Sequence, residues 1–299
     1  MTRRGWLLFV TMCVVWGIPY LLIKVAVRDL SPVSLVFFRT GIAALLLVPV
    51  AVARGQFLPV FRRWRPLVVY TVVEMAVPWL LLSRAEERLS SSLTGLLVAA
   101  VPLVGAVLAR TTGDRERLEP RRIVGLLVGI GGVAALVGLD LGSVDLPSLG
   151  GMAVVIVGYA VGPVILSRSL GDLPALGVVA ASLALCAVGY LPFALTQLPA
   201  AVPGPAVLAS VLLLAVVCTA VAFLVFFALI AEVGPSRSLV FTYVNPAVAV
   251  TLGVVLLNEP LTLATGIGFV LVIVGSVLAT RRPGPRDPAG RKAVGLTNR

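Results

Sequence analysis

The sequence predicts an all-α membrane protein of ten transmembrane helices, arranged as two inverted five-helix repeats. Three observations carry that expectation. The chain of 299 residues is 59% hydrophobic and 12% charged, with a mean hydropathy of +1.08, whereas a soluble globular protein is about a quarter charged. Apolar runs of about 20 residues recur along the chain, each long enough for a hydrocarbon core of roughly 30 Å. The second half then repeats the pattern of the first.

Cutting at charges, prolines and polar clusters gives spans at 6–28, 33–53, 67–87, 91–110, 121–139, 148–168, 174–197, 205–231, 237–257 and 261–280. The start, Thr2-Arg3-Arg4 before an apolar stretch, has the look of a signal peptide. The stretch is longer than an h-region and no small-x-small site closes it, so it reads as a retained first span. Its Trp16, Tyr20 and Lys24 are four apart and form one stripe on one helix face. At 1.5 Å per residue Trp16 lies roughly 15 Å along the span and Lys24 roughly 27 Å. Two accounts of the stripe stand: packing aromatics with a lysine that snorkels to the headgroups, or the wall of a vestibule. Pro19 cannot donate to the Val15 carbonyl and kinks the helix beside them.

In the second span Arg39 lies about 10 Å below the outer end. In the third, Glu74 is the carboxylate that lies deep within a span, and Pro78 removes the donor to its carbonyl. Intramembrane carboxylates are costly and face a cavity or a partner, which makes Glu74 a proton-coupling candidate. Pro102 breaks the fourth span. In the fifth, Gly129-x-Gly131-x-x-Ala134 mimics a dinucleotide fingerprint, but no strand precedes it. Gly125 and Gly129 fit close helix packing instead. Pro163 lies in the sixth span. Asn245-Pro246, beside Thr242 and Tyr243, puts a polar cluster and a break in the ninth. Glu116 and Glu259 sit at loop-to-helix junctions, where the helix dipole accounts for them. The tail 281–299 is basic, rich in Pro and Gly, and expected to be disordered near anionic lipid.

Charge sorts the loops. Arg3, Arg4, Arg54, Arg62, Arg63, Arg65, Arg110, Arg115, Arg117, Arg121, Arg122, Arg168, Arg237 and the tail fall on one side, and Arg28, Arg84 and Arg88 on the other. Positive-inside reasoning places both termini in the cytoplasm. That distribution also explains the net charge of +11 without nucleic acid as a partner. Histidine is absent, and Cys13, Cys186 and Cys218 all lie in apolar runs. This argues against a metal site, a disulfide framework or a cofactor.

The repeat is explicit. Segment 76–102 lies over 220–246, so Ala76 meets Ala220 and Pro102 meets Pro246. After one residue of slippage Glu116 meets Glu259, and Gly125 and Gly132 meet Gly268 and Gly275. Upstream, Pro19 falls on Pro163 and Lys24 on Arg168. The repeats are 1–140 and 147–280; five helices is an odd number, so the halves enter the membrane in opposite directions. Such halves suit alternating access around a midplane site.

The segments "WGIPYLLIKVAV", "LSPVSLVFFRTGIAALLL" and "LIAEVGPSRSLVFTYVNPAVAVTLGVVLLNEPLT" resemble the EamA-type family of the drug/metabolite transporter (DMT) superfamily, over roughly 6–280. The resemblance implies a ten-helix inner-membrane carrier, often an exporter of metabolites or amino-acid-like compounds, in which the arginine of "FFR" is common. It implies no particular substrate. The halves diverge where Trp16, Tyr20 and Lys24 align with Ala160, Val164 and Arg168, so any site is asymmetric. The function expected is a secondary transporter, not an enzyme, acting on a small-molecule substrate in the bilayer as a monomer or homodimer. Trp16, Tyr20, Lys24, Arg39, Tyr243 and Asn245 are candidate substrate contacts. The aromatic pair beside Lys24 and Arg39 suits a zwitterion. A flippase for a lipid-linked head group, an intramembrane enzyme and a scaffold are the alternatives.

Overall fold

The computed structural model describes residues 1–111, 120–138, 145–234 and 238–280. Glu116, Arg115, Arg117, Arg237 and the tail 281–299 lie outside them. Among the described residues all regular structure is helical, and the α-helices number α1 to α14. They are α1 (Arg3–Val15), α2 (Pro19–Ala26), α3 (Pro32–Ala53), α4 (Trp64–Tyr70), α5 (Val77–Arg88), α6 (Ser91–Val98), α7 (Val101–Thr111), α8 (Pro120–Gly138), α9 (Leu146–Ser169), α10 (Ala175–Leu195), α11 (Pro205–Ala215), α12 (Ala222–Val233), α13 (Asn245–Leu257) and α14 (Leu263–Thr280).

Among the described residues, eight helical stretches are long and apolar enough to cross a membrane, and two shorter apolar stretches, Ile123–Ala135 and Thr265–Ala279, lie in α8 and α14. The third crossing begins earlier than expected, because a 3₁₀ turn (Leu58–Arg63) and α4 precede the expected start at 67.

The expected breaks take distinct forms. α1 and α2 are separated at Trp16–Ile18: the Gly17 and Ile18 N–H groups both donate to the Val14 carbonyl, and Pro19 opens α2. Trp16, Tyr20 and Lys24 therefore do not share one continuous helix, which corrects the simple stripe. Pro102 and Pro246 open α7 and α13 at their second helical positions, after short non-α turns. Pro163 stays within an unbroken α9. Pro78 follows a π-helical turn (Thr71–Ala76), in which the Val77 N–H reaches back five residues to the Val72 carbonyl. With no N–H at Pro78 to meet the Glu74 carbonyl, a wider turn is the accommodation. A second π turn (Val216–Val221) joins α11 to α12. Ala222 stands there in place of a proline, and the Thr219 hydroxyl donates to the Leu214 carbonyl (2.7 Å).

Packing pairs helices far apart in sequence. α3 runs along α10, α8 along α14, and α6 against α13; α5 packs on α9, while α1 and α2 pack on α12 and α11. The α8–α14 pair is glycine-lined. A Cβ at Gly275 would collide with the Gly129 backbone, and one at Gly125 with the backbone of Gly275 and Ala279. The expectation that Gly125 and Gly129 serve close packing therefore holds.

Candidate functional site

The polar groups inside the bundle gather around Arg39. The side chain is 8% exposed; its Nε donates to the Thr219 hydroxyl (3.0 Å), and its guanidinium lies 3.8 Å from the Trp79 ring centroid. Tyr159 on α9 is in electrostatic reach of both Arg39 and Glu74. Tyr20, 9% exposed, is in electrostatic reach of Tyr159, Glu86 and Arg39. Helices from both halves of the chain thus converge on one guanidinium.

Glu74 sits on the π turn, one edge of which fits a notch in α9. A Cβ at Gly158 would strike the Val73 carbonyl and Pro78, and one at Gly162 would strike the Glu74 carboxylate. Glu74 Oε2 is buried with no hydrogen-bond partner among the described residues. On the far side of the turn, Tyr190 donates to the Ala76 carbonyl (2.9 Å), tying α10 to the end of the π turn. The ion pairs described, Arg4–Glu232 and Arg63–Asp172, do not join Arg39 to Glu74; Tyr159 is what connects their surroundings.

The other candidates are engaged in packing. Trp16 lies among Phe223, Phe226 and Phe241, at centroid distances of 5.7, 5.1 and 5.2 Å. With its amide nitrogen turned toward them, Asn245 donates to the carbonyls of Cys13 (3.1 Å) and Phe241 (3.0 Å), bracing the break after α1 against the start of α13. Tyr243 lies on the 3₁₀ turn Leu239–Tyr243, half-buried. Lys24 neither reaches outward nor stands alone: its Nζ donates to the carbonyls of Glu86 (2.6 Å) and Leu89 (2.8 Å), at the C-terminus of α5.

Two corrections follow. Glu74 is not the only carboxylate deep in the bundle, because Glu86 is 0% exposed, with both oxygens unpartnered among the described residues. Its setting, Ala85-Glu86-Glu87-Arg88, reads in sequence as a solvated helix end, and only its phase relative to Leu82 and Leu89 signals that it faces inward. Glu259 also serves a helix other than the one it precedes. Its carboxylate accepts from the N–H groups of Ser91 (2.7 Å) and Ser92 (3.0 Å) and from the Ser92 hydroxyl (2.5 Å), capping α6. Burial pushes the Glu259 carboxyl up, but these hydrogen bonds outweigh it and hold the group below the ordinary glutamate value.

A polytopic helical bundle that encloses charged and aromatic groups between spans from both halves of its chain is built as a membrane transporter. The comparisons with known proteins agree: the chain matches the EamA-like transporter family over residues 3–138 and again over 148–281. It belongs to that family. It is 28% identical over 285 residues to an uncharacterized inner membrane transporter, YedA, of Escherichia coli K12, covering 90% of each chain. It is 24% identical over 303 residues to an uncharacterized transporter, YvbV, of Bacillus subtilis, covering 99% of this chain and 97% of that one. A crystal structure 21% identical superposes with a TM-score of 0.67, covering 94% of this chain and 98% of the other. That likeness concerns the fold.

Proposed function

We propose that the protein is a secondary transporter of a small metabolite, working by alternating access between inverted five-helix halves at 1–140 and 147–280. In this reading there are ten spans, both termini are cytoplasmic, and the membrane is the inner or plasma membrane. The observation that carries it is Arg39, buried among Trp79, Tyr159 and Thr219 from both halves. Two further features support it. The family match occurs twice along the chain. The packing pairs also exchange under a two-fold swap of halves: α5 on α9 in one sense corresponds to α11 and α12 on α2 and α1 in the other.

Arg39 is the anion-recognising group of this site. Lys24 already spends two N–H bonds on α5 carbonyls, so recognition of a carboxylate falls to the planar, stacked guanidinium. Tyr20 and Tyr159 flank it with hydroxyl and ring surface, and a zwitterionic, amino-acid-like solute suits that lining. Glu74, beside Tyr159 and Tyr70, is the candidate for proton coupling.

The test is to overproduce the protein and compare solutes inside and outside cells. We expect one class of carboxylate-bearing solute to be redistributed, and Arg39→Lys to abolish the effect with normal protein levels. The charge survives in that variant, but the stacked fork does not. For the solute identified, Glu74→Gln in proteoliposomes should remove accumulation driven by a pH gradient while leaving downhill exchange. An Arg39→Lys variant that redistributes the solute normally would remove Arg39 from the site.

A further inference from the structure

The α5–α6 corner, Leu89–Ser90, is held by two charges that come from elsewhere in the chain. Lys24 Nζ donates to the carbonyls of Glu86 and Leu89 at the end of α5. Glu259 accepts from the N–H groups that begin α6. Each charge has the sign that its helix end favours, cation at a C-terminus and anion at an N-terminus. Beneath the corner lies the Glu86 carboxyl group, fully buried, with neither oxygen hydrogen-bonded among the described residues. The charged and titratable groups around it are Lys24 and Tyr20 from α2, Arg39 from α3, and Glu259 from the segment after α13.

We propose that Glu86 is a proton-binding site, and that release of its proton moves the Lys24 ammonium from the α5 carbonyls to the Glu86 carboxylate and so loosens the corner. The proton passes from the carboxyl oxygen to water. The two N–H···O=C bonds of Lys24 are exchanged for N–H···O⁻ bonds to Glu86, which are stronger because both partners are charged. A buried carboxylate without a partner is expensive, and Lys24 is the cation already at hand: it bonds the main-chain carbonyl of the same residue. With its proton bound, Glu86 makes no such demand and the carbonyl clamp stays closed. The site is separate from Glu74, twelve residues earlier on the π turn. As a step in a transport cycle the device rests on the transporter reading above, but the clamp itself can be measured without transport.

Leu89 is 3% exposed and its carbonyl is one end of the clamp, so a cysteine there reports opening. In purified protein with Cys13, Cys186 and Cys218 replaced, Leu89→Cys is labelled with a water-soluble maleimide between pH 5.5 and 9. Each rate is divided by that of Val202→Cys, an exposed reference at 86%, which removes the pH dependence common to both thiols, and the Glu86→Gln variant carries the part that burial adds at position 89. Glu259, held below the ordinary glutamate value, keeps its charge throughout this window. The normalised rate should rise at least fivefold with pH. Glu86→Gln, fixed in the protonated shape, should stay slow and flat, whereas Lys24→Met, lacking the clamp, should be fast and flat. Glu74→Gln should titrate like the parent. Misfolding cannot produce opposite flat responses in two variants. A pH-independent parent, or a Glu86→Gln variant that still titrates, overturns the proposal. If the clamp titrates as stated but no solute is moved in cells, the transporter reading fails and the proton site stands.

Discussion

Arg39 shows how much a single residue type discloses when it stands in an apolar run. Its presence in "FFR" was enough to single it out, and so was Glu74's in "VVEMAV". Their partners were not readable, because Trp79, Tyr159 and Thr219 are ordinary membrane residues whose role depends on which helices meet. Glu86 is hidden for the opposite reason, since three neighbouring charges disguise an inward-facing position as a solvated helix end. The Glu74 notch makes a residue-scale prediction. Gly162→Ala would place a methyl group on the carboxylate, and overpacking of this kind costs about 1–3 kcal/mol. Gly150→Ala, on the same helix with nothing within 4 Å, should be neutral. Apparent Tm in detergent should separate the two by several degrees, and equal values would mean that the notch relaxes freely.

At the scale of elements, hydropathy and charge located the apolar crossings, while proline located most of the interruptions and misjudged their form. The π turn before Pro78 has a counterpart at Val216–Val221 that contains no proline and is followed by Ala222. There the Thr219 hydroxyl bonds the Leu214 carbonyl, and sequence alone offers no breaker to read. Capping was misread as well: Glu259 appeared to serve the helix that follows it, yet it closes α6. The folded state depresses this carboxyl, so its stabilising share is present above the unfolded glutamate value of about 4.3 and is lost as pH falls through the lower folded value. Thermal scans between pH 7 and pH 3 should therefore show a decline that Glu259→Gln reduces. The variant should begin from a lower Tm at pH 7, about 1–2 kcal/mol less stable by loss of the cap. An identical decline in both proteins would assign acid sensitivity elsewhere.

For the whole molecule, Asp29 and Asp172 occupy similar places, each three residues past the C-terminal end of the first helical crossing in its half. Asp29 accepts from the Gly204 N–H (3.0 Å), and Asp172 pairs with Arg63 (2.9 Å). Each fastens its own half to the other, and between them α3 runs along α10. The most extensive such joint is the seam of α8 and α14, the last helix of each half, where backbones touch across glycines. Contact of this kind is built from main chain, which every copy of the sequence carries in the same place, and it does not require the two strands of the joint to belong to one polypeptide. Residues 1–140 and 141–299 produced from separate genes should therefore find each other in the bilayer and co-purify through a tag on either. Gly275→Leu should dissolve the pair in proportion to the backbone contact it forces apart, while Gly131→Leu, which meets open space, should leave it intact. A protein whose halves assemble as strangers retains the grammar of a dimer, with the covalent link serving to fix a one-to-one ratio.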